Sequence, residues 1–402
     1  MASNRPSTLL LRVDGFGWQD CLATGPGSAI LGSLLFSALF PAPMSVKFLL
    51  RVAGTLLLAW AAAAACVALH TPLPWMLGPL VATSVLSMAG APTESWGPLR
   101  NGGQWAIGAA LGLYFTPEVS ALVGSLWWAI VLGIGWALLL GWGFGAWLYR
   151  LHAPRMHGVP ASMLRSTSYF AGAIGAASEM TLLSERENAR TDLVAASHSL
   201  RLLIVTITIP FALQWSGLQG LDILIPTVRE VSWPGLALLA LLTGAGALVM
   251  DRLGRANPWF MGAMLVSMAV TMAGLHLSAV PQALVNAAQL VIGVSLGVRF
   301  RAEFLHTAPR WLASVAVGTF GLMGICAAFA AVLAWATGLP WVTLLLGTSP
   351  GGITEMAITA KVLQLGVPVV TAFQVCRLIA VLMLVGPMFR RIYPPTEGGS
   401  AI

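Results

Sequence analysis

Two glutamates and two arginines recur in this chain at one spacing: Glu179 stands as far before Arg201 as Glu355 stands before Arg377. Each arginine interrupts an apolar run, Ser199 to Phe211 or Val375 to Phe389, and each glutamate follows a glycine-rich stretch. Ionisable groups at membrane depth are costly to bury, so they pair with one another or face a cavity, where they handle ions, protons or substrates. A carboxylate beside a guanidinium offsets part of the burial cost of both. Such pairs can bind a coupling ion, pass a proton or hold a small charged substrate. Equally, they can pin one segment to the next helix. The amides Asn101, Gln104, Asn286 and Gln289 form a second set, although amides also join helices. Pro74-Trp75 and Pro258-Trp259 read as helix starts with an interfacial tryptophan.

Conventional catalytic patterns are missing, and the chain is not expected to be an enzyme. Ser178-Glu179 and Thr354-Glu355 have no repeated histidine nearby, as hydrolase chemistry requires. Gly347 to Gly352 continues into Ile-Thr-Glu instead of the Gly-Lys-Ser/Thr of a phosphate-binding loop. The cysteines, at 21, 66, 326 and 376, are far apart, and the histidines are scattered, with His152 and His157 the only close pair. No metal site and no cofactor are expected. The +7 net charge comes from Lys and Arg placed singly or in pairs between apolar runs, which sets membrane topology and does not build a nucleic-acid surface.

What positions these residues follows from composition. Of 402 residues, 57% are hydrophobic and 9% charged, and mean hydropathy is +0.84. So few charges cannot cover a water-facing surface, since soluble domains carry about 25%. Runs such as Val52 to Leu69, Leu126 to Leu148, Leu236 to Met250 and Trp311 to Ala336 are near or above the length that crosses a bilayer. The fold class expected is therefore an all-α polytopic membrane protein, in a bacterial inner (cytoplasmic) membrane. Its partners are membrane lipids and an unknown small solute or ion.

The chain also resembles itself. Leu73 to Gly78 returns as Asn257 to Gly262, with Pro, Trp and Gly in place. Gln104, Ile107-Gly108 and Leu111-Gly112 return as Gln289, Ile292-Gly293 and Leu296-Gly297, in the same order and at the same internal spacing. Gly175, Glu179-Met180 and Arg201 return in the same way as Gly351, Glu355-Met356 and Arg377. Matches of this kind at near-constant offsets imply an internal duplication. The expected organisation is an extension over 1–47, a first membrane repeat over 48–214, a linker over 215–231, a second repeat over 232–392 and a tail over 393–402. Met44 offers an alternative start.

Lys and Arg mark cytoplasmic loops. In the first repeat they sit before the first helix (Lys47, Arg51), after the second (Arg100) and after the fourth (Arg150, Arg155, Arg165). In the second they follow the first helix (Arg252, Arg255) and the third (Arg299, Arg301, Arg310). The repeats are thus expected to be inverted, with an odd number of crossings each. Six hydrophobic elements per repeat satisfy parity if the fifth, around Ser168 to Met180 and Leu344 to Met356, is broken or re-entrant. Gly175, Gly351 and Gly352 suit irregular backbone lining a cavity. The fold expected is two inverted repeats of about five transmembrane helices, each with one re-entrant or broken helix.

The Pro-Trp-x-x-Gly, Gln-x-x-Ile-Gly-x-x-Leu-Gly and Gly-Gly-x-x-Glu-Met elements make the chain resemble the AbrB family of duplicated membrane proteins, described in Gram-negative bacteria. The first repeat departs at the last element, where Ala176 stands in place of the second glycine. The resemblance implies a link to regulation of gene expression, which a chain without a soluble domain would exert indirectly. An ammonia monooxygenase label also attaches to the family, but it needs clustered histidines and carboxylates that this sequence does not offer. The function expected is a transporter-like protein moving a small solute or ion. The other reading is a membrane-embedded regulatory or sensory component without flux.

Overall fold

The computed structural model describes residues 45–154, 156, 158–217, 230–300 and 308–394. Most of the expected extension and linker, and all but the first two residues of the tail, lie outside the described residues. The chain divides after Leu50. Of the first unit only residues 45–50 are described, and the site and its walls belong to the second.

The described residues form fifteen helices and no strand. Six are long and apolar enough to cross a membrane: α1 (Val46–Ala68), α5 (Trp127–His152), α8 (Thr191–Ser216), α9 (Trp233–Arg252), α12 (Pro309–Thr337) and α15 (Val367–Ile392). Between them lie α2 (Pro74–Met88), α3 (Gly97–Gly112), α4 (Pro117–Ser125), α6 (Ala161–Gly172), α7 (Ala177–Arg186), α10 (Pro258–Met272), α11 (Gln282–Gly297), α13 (Trp341–Thr348) and α14 (Ile353–Val362). Trp60, Leu241 and Trp335 on the long helices are exposed, as apolar side chains facing lipid are. These features define a multi-pass, all-helical membrane protein.

By length alone the spans number six, or seven if α3 and α4, bent by 90°, count as one. The other apolar helices, α2, α10 and α11, have only 15 or 16 residues. Helix α4 is a short element between α3 and α5. Its start is ordinary chemistry: the Thr116 hydroxyl accepts from the Val119 amide at 3.4 Å, and Pro117 opens the first turn.

Positions that match in sequence also make matching contacts. Helices α2 and α10 both follow a residue in the left-handed conformation, Leu73 (φ 48°) and Asn257 (φ 50°), and both begin with proline. Gly108 and Gly112 of α3 lie against the Phe260 and Met264 carbonyls of α10. Gly293 and Gly297 of α11 lie likewise against the Met76 and Leu80 carbonyls of α2. A β-carbon at any of the four would run into backbone, so the helices approach as closely as small residues allow. Of this block, α3, α10 and α11 line the site below.

The fifth elements are broken where the glycine-rich sequence predicted. Helix α6 stops at Gly172 and α7 starts at Ala177, while α13 stops at Thr348 and α14 starts at Ile353. In the second break, Ser349 is extended (ψ 148°), as the residue before Pro350 must be.

Candidate functional site

A helix that stops inside the protein leaves its last carbonyls without amide donors. At the end of α6 the donor is Arg201 of α8. Its guanidinium donates to the carbonyls of Ala171 (3.2 Å), Gly172 (3.3 Å) and Ala173 (2.7 Å). One ring nitrogen of His198 lies 2.9 Å from the Phe170 carbonyl, and the other, 2.8 Å from Arg201 Nη2, accepts from the guanidinium. At the end of α13, Arg377 of α15 donates to the carbonyls of Ser349 (2.5 Å) and Gly351 (2.9 Å), and to Gln374 Oε1 (2.6 Å). Gln374 Nε2 in turn donates to the Leu346 carbonyl at 2.7 Å. A cation there also opposes the negative end of the helix dipole.

The expected carboxylate–guanidinium pairs are therefore not formed. Among the described residues no ion pair joins Glu179 to Arg201 or Glu355 to Arg377; the recorded pairs are Arg51–Glu94, Arg190–Asp192 and Arg390–Glu187. The physical reason is that the terminal nitrogens of each guanidinium are directed to orphaned carbonyls, the more demanding need in a water-poor interior.

The two glutamates occupy the same place, the third residue of α7 and of α14, but differ in pose. Glu355 is buried and curls back over Gly352, the residue before α14, so that its carboxylate fills the space of a β-carbon there. Ala176 stands at the corresponding place before α7 and carries that β-carbon, which excludes the pose, and Glu179 is only half-buried. The glycines Gly175 and Gly351 share another role: each leaves room for the methionine five residues on, Met180 or Met356.

Both breaks open on one cavity of about 400 Å³. Glu179, Arg201, Glu355, Arg377, Asn101 and Gln104 line it, and so do Gly175, Gly351 and Gly352. Asn286 and Gln289 do not: Gln289 is buried elsewhere in α11, and Asn286 accepts from Gln282 Nε2 at 2.8 Å. Five guanidiniums, Arg100, Arg201, Arg255, Arg299 and Arg377, share the lining with three carboxylates, Glu179, Asp251 and Glu355. Burial, with the neighbouring Arg100, lowers the Arg299 pKa from the usual arginine range, and the Glu355 carboxylate opposes that shift.

Sequence reasoning missed His198 and Gln374, although a signal existed: both stand three residues before the repeated arginine, polar within an apolar run. It also read Arg100, Arg255 and Arg299 only as topology charges.

A helical membrane protein in which two interrupted helices meet at a charged internal cavity is the class that fold and site define. The chain belongs to the AbrB family: the family model described as "Transition state regulatory protein AbrB" matches residues 75–393. It is similar to "Putative regulator AbrB" of Escherichia coli (strain K12), 26% identical over 332 residues that cover 81% of this chain and 91% of that protein. It is also similar to "Uncharacterized protein YhjN" of Bacillus subtilis (strain 168), 24% identical over 355 residues, 79% of this chain and 87% of that one.

Proposed function

We propose that this chain is a transporter-like protein of the bacterial inner membrane, built from two inverted repeats, that moves a small solute or ion through the cavity between its broken helices. The carrying observation is that both breaks, matched in sequence and held by matched arginines, open on the same cavity. Discontinuous helices whose termini meet at a central site are how many transporters bind their cargo.

Inversion is supported by which ends lie together. Glu187 after α7 pairs with Arg390 near the end of α15 at 2.8 Å, and Arg100 and Arg255 line one cavity. All four belong to the side that the basic loops mark as cytoplasmic. On the other side Gln214 Nε2 donates to the His70 carbonyl at 3.0 Å, and the Ser232 amide donates to the Ser278 hydroxyl at 3.1 Å. On this reading the cavity mouth faces the cytoplasm, the chain is not an enzyme, and any effect on gene expression is indirect.

The second reading is a regulatory or sensory component without flux, favoured by the regulator name of the Escherichia coli relative. Purified protein in liposomes separates the two. Solute and ion flux is measured for the wild type and for the Glu179→Gln/Glu355→Gln double variant. Flux in the first and loss in the second is expected; full flux in the double variant removes the proposed site, and no flux in either removes transport.

A further inference from the structure

We infer that the cavity takes a small oxyanion, a carboxylate or an inorganic phosphate or sulfate, seated on the N-terminus of α7. The inference deepens the transport reading and rests on it for the role of the cavity.

Two helix N-termini open on the cavity, α7 through Ala177 and Ser178 and α14 through Ile353 and Thr354. A helix N-terminus presents free amides and partial positive charge to an anion. The two are not equivalent. That of α14 is already covered by an internal anion, the Glu355 carboxylate folded over Gly352. Ala176 stands where Gly352 does, so Glu179 cannot lie as Glu355 does, and among the described residues its carboxylate has no recorded hydrogen bond or ion pair. Ser178, its second residue, is exposed to the cavity.

An independent observation comes from the opposite break. Arg377 is 6% exposed and lines the cavity, yet its buried Nε–H has no hydrogen-bond partner, although the other two guanidinium nitrogens do. Arg201 and Arg377 line the same space, and each has its nearest donors on backbone carbonyls, so neither charge is neutralised by a carboxylate among the described residues. Two like charges around one cavity favour an anion between them. The volume, about 400 Å³, is at the low end of ligand sites, roughly 300–1,000 Å³, so the anion is small.

The test is thermal unfolding of the full chain in a neutral detergent, which keeps lipid phosphate away and reads binding without flux. Pyruvate and succinate form the carboxylate arm, phosphate and sulfate the inorganic arm, and putrescine and choline the cationic arm, all at equal ionic strength. At least one oxyanion should raise the midpoint saturably and the cations should not; which arm responds identifies the source. Ser178→Asp supplies a tethered carboxylate at the α7 N-terminus, a substitution that favours the helix itself, and should weaken oxyanion binding about tenfold or more. Ser178→Asn, of equal size and neutral, should keep it. Asn101→Asp brings negative charge from the α3 wall and should weaken binding too, should Ser178→Asp fail to fold. Stabilisation by cations, none by any oxyanion, or wild-type oxyanion binding by a folded aspartate variant overturns the inference. Anion binding without flux in liposomes would leave it standing and remove the transport reading; flux of a cation would do the reverse.

Discussion

Glu355 lays its carboxylate over Gly352, three residues earlier, in the space where any other amino acid would carry its β-carbon. The glycine and the glutamate are thus one device. The same device is absent before α7, where Ala176 precedes Glu179.

Gly352→Ala should displace the Glu355 carboxylate without unfolding the protein, because what must move is the end of a side chain and not backbone. Flux should fall as in Glu355→Gln, with the unfolding midpoint close to wild type. Wild-type flux in Gly352→Ala would show that the folded-back pose is not needed.

Arg201→Gln and Arg377→Gln should each destabilise the fold by on the order of 3 kcal/mol, because buried carbonyls lose charged donors. Lysine should not rescue either, since one ammonium cannot reach the span of carbonyls that a planar guanidinium bridges. Thermal unfolding of the four variants checks this. A lysine variant as stable as wild type would mean that charge alone holds the breaks.

Glycines in α3 should separate into two kinds. Gly108→Ala puts a methyl into the Phe260 carbonyl and should cost about 1–3 kcal/mol. Gly102→Ala, with open space around it, should be neutral or stabilise by up to about 1 kcal/mol. Unfolding midpoints measured side by side give the contrast.

Inversion predicts sidedness. In a cysteine-free background, Arg255→Cys should react with a membrane-impermeant maleimide from the cytoplasmic face alone, and Gln214→Cys from the opposite face alone. Both residues are exposed, so labelling of the two from one face would contradict the inverted arrangement.

The membrane class, the positions of both breaks and the recurrence of Glu179, Arg201, Glu355 and Arg377 were legible in the sequence because apolar runs and matched spacings are one-dimensional signals. What those groups touch was not. A guanidinium and a carboxylate repeated at one spacing suggest an ion pair, and nothing in that spacing reveals that helix ends have a prior claim on the arginines. Asn286 and Gln289 illustrate the same limit: they match Asn101 and Gln104 in sequence but lie away from the cavity that the first pair lines. The capped start of α4 was readable in Thr116-Pro117-Glu118, yet the surrounding hydrophobicity hid it.

Arg201 and Arg377 grip main-chain oxygens, and every amino acid supplies the same main-chain oxygen. The grip therefore places little demand on which side chains end each helix. Phe170 to Ala173 and Leu346 to Ser349 are held alike while sharing not one residue type in register. A protein built this way can change the side chains at each helix end, one end at a time, without loosening the joint that the arginine makes.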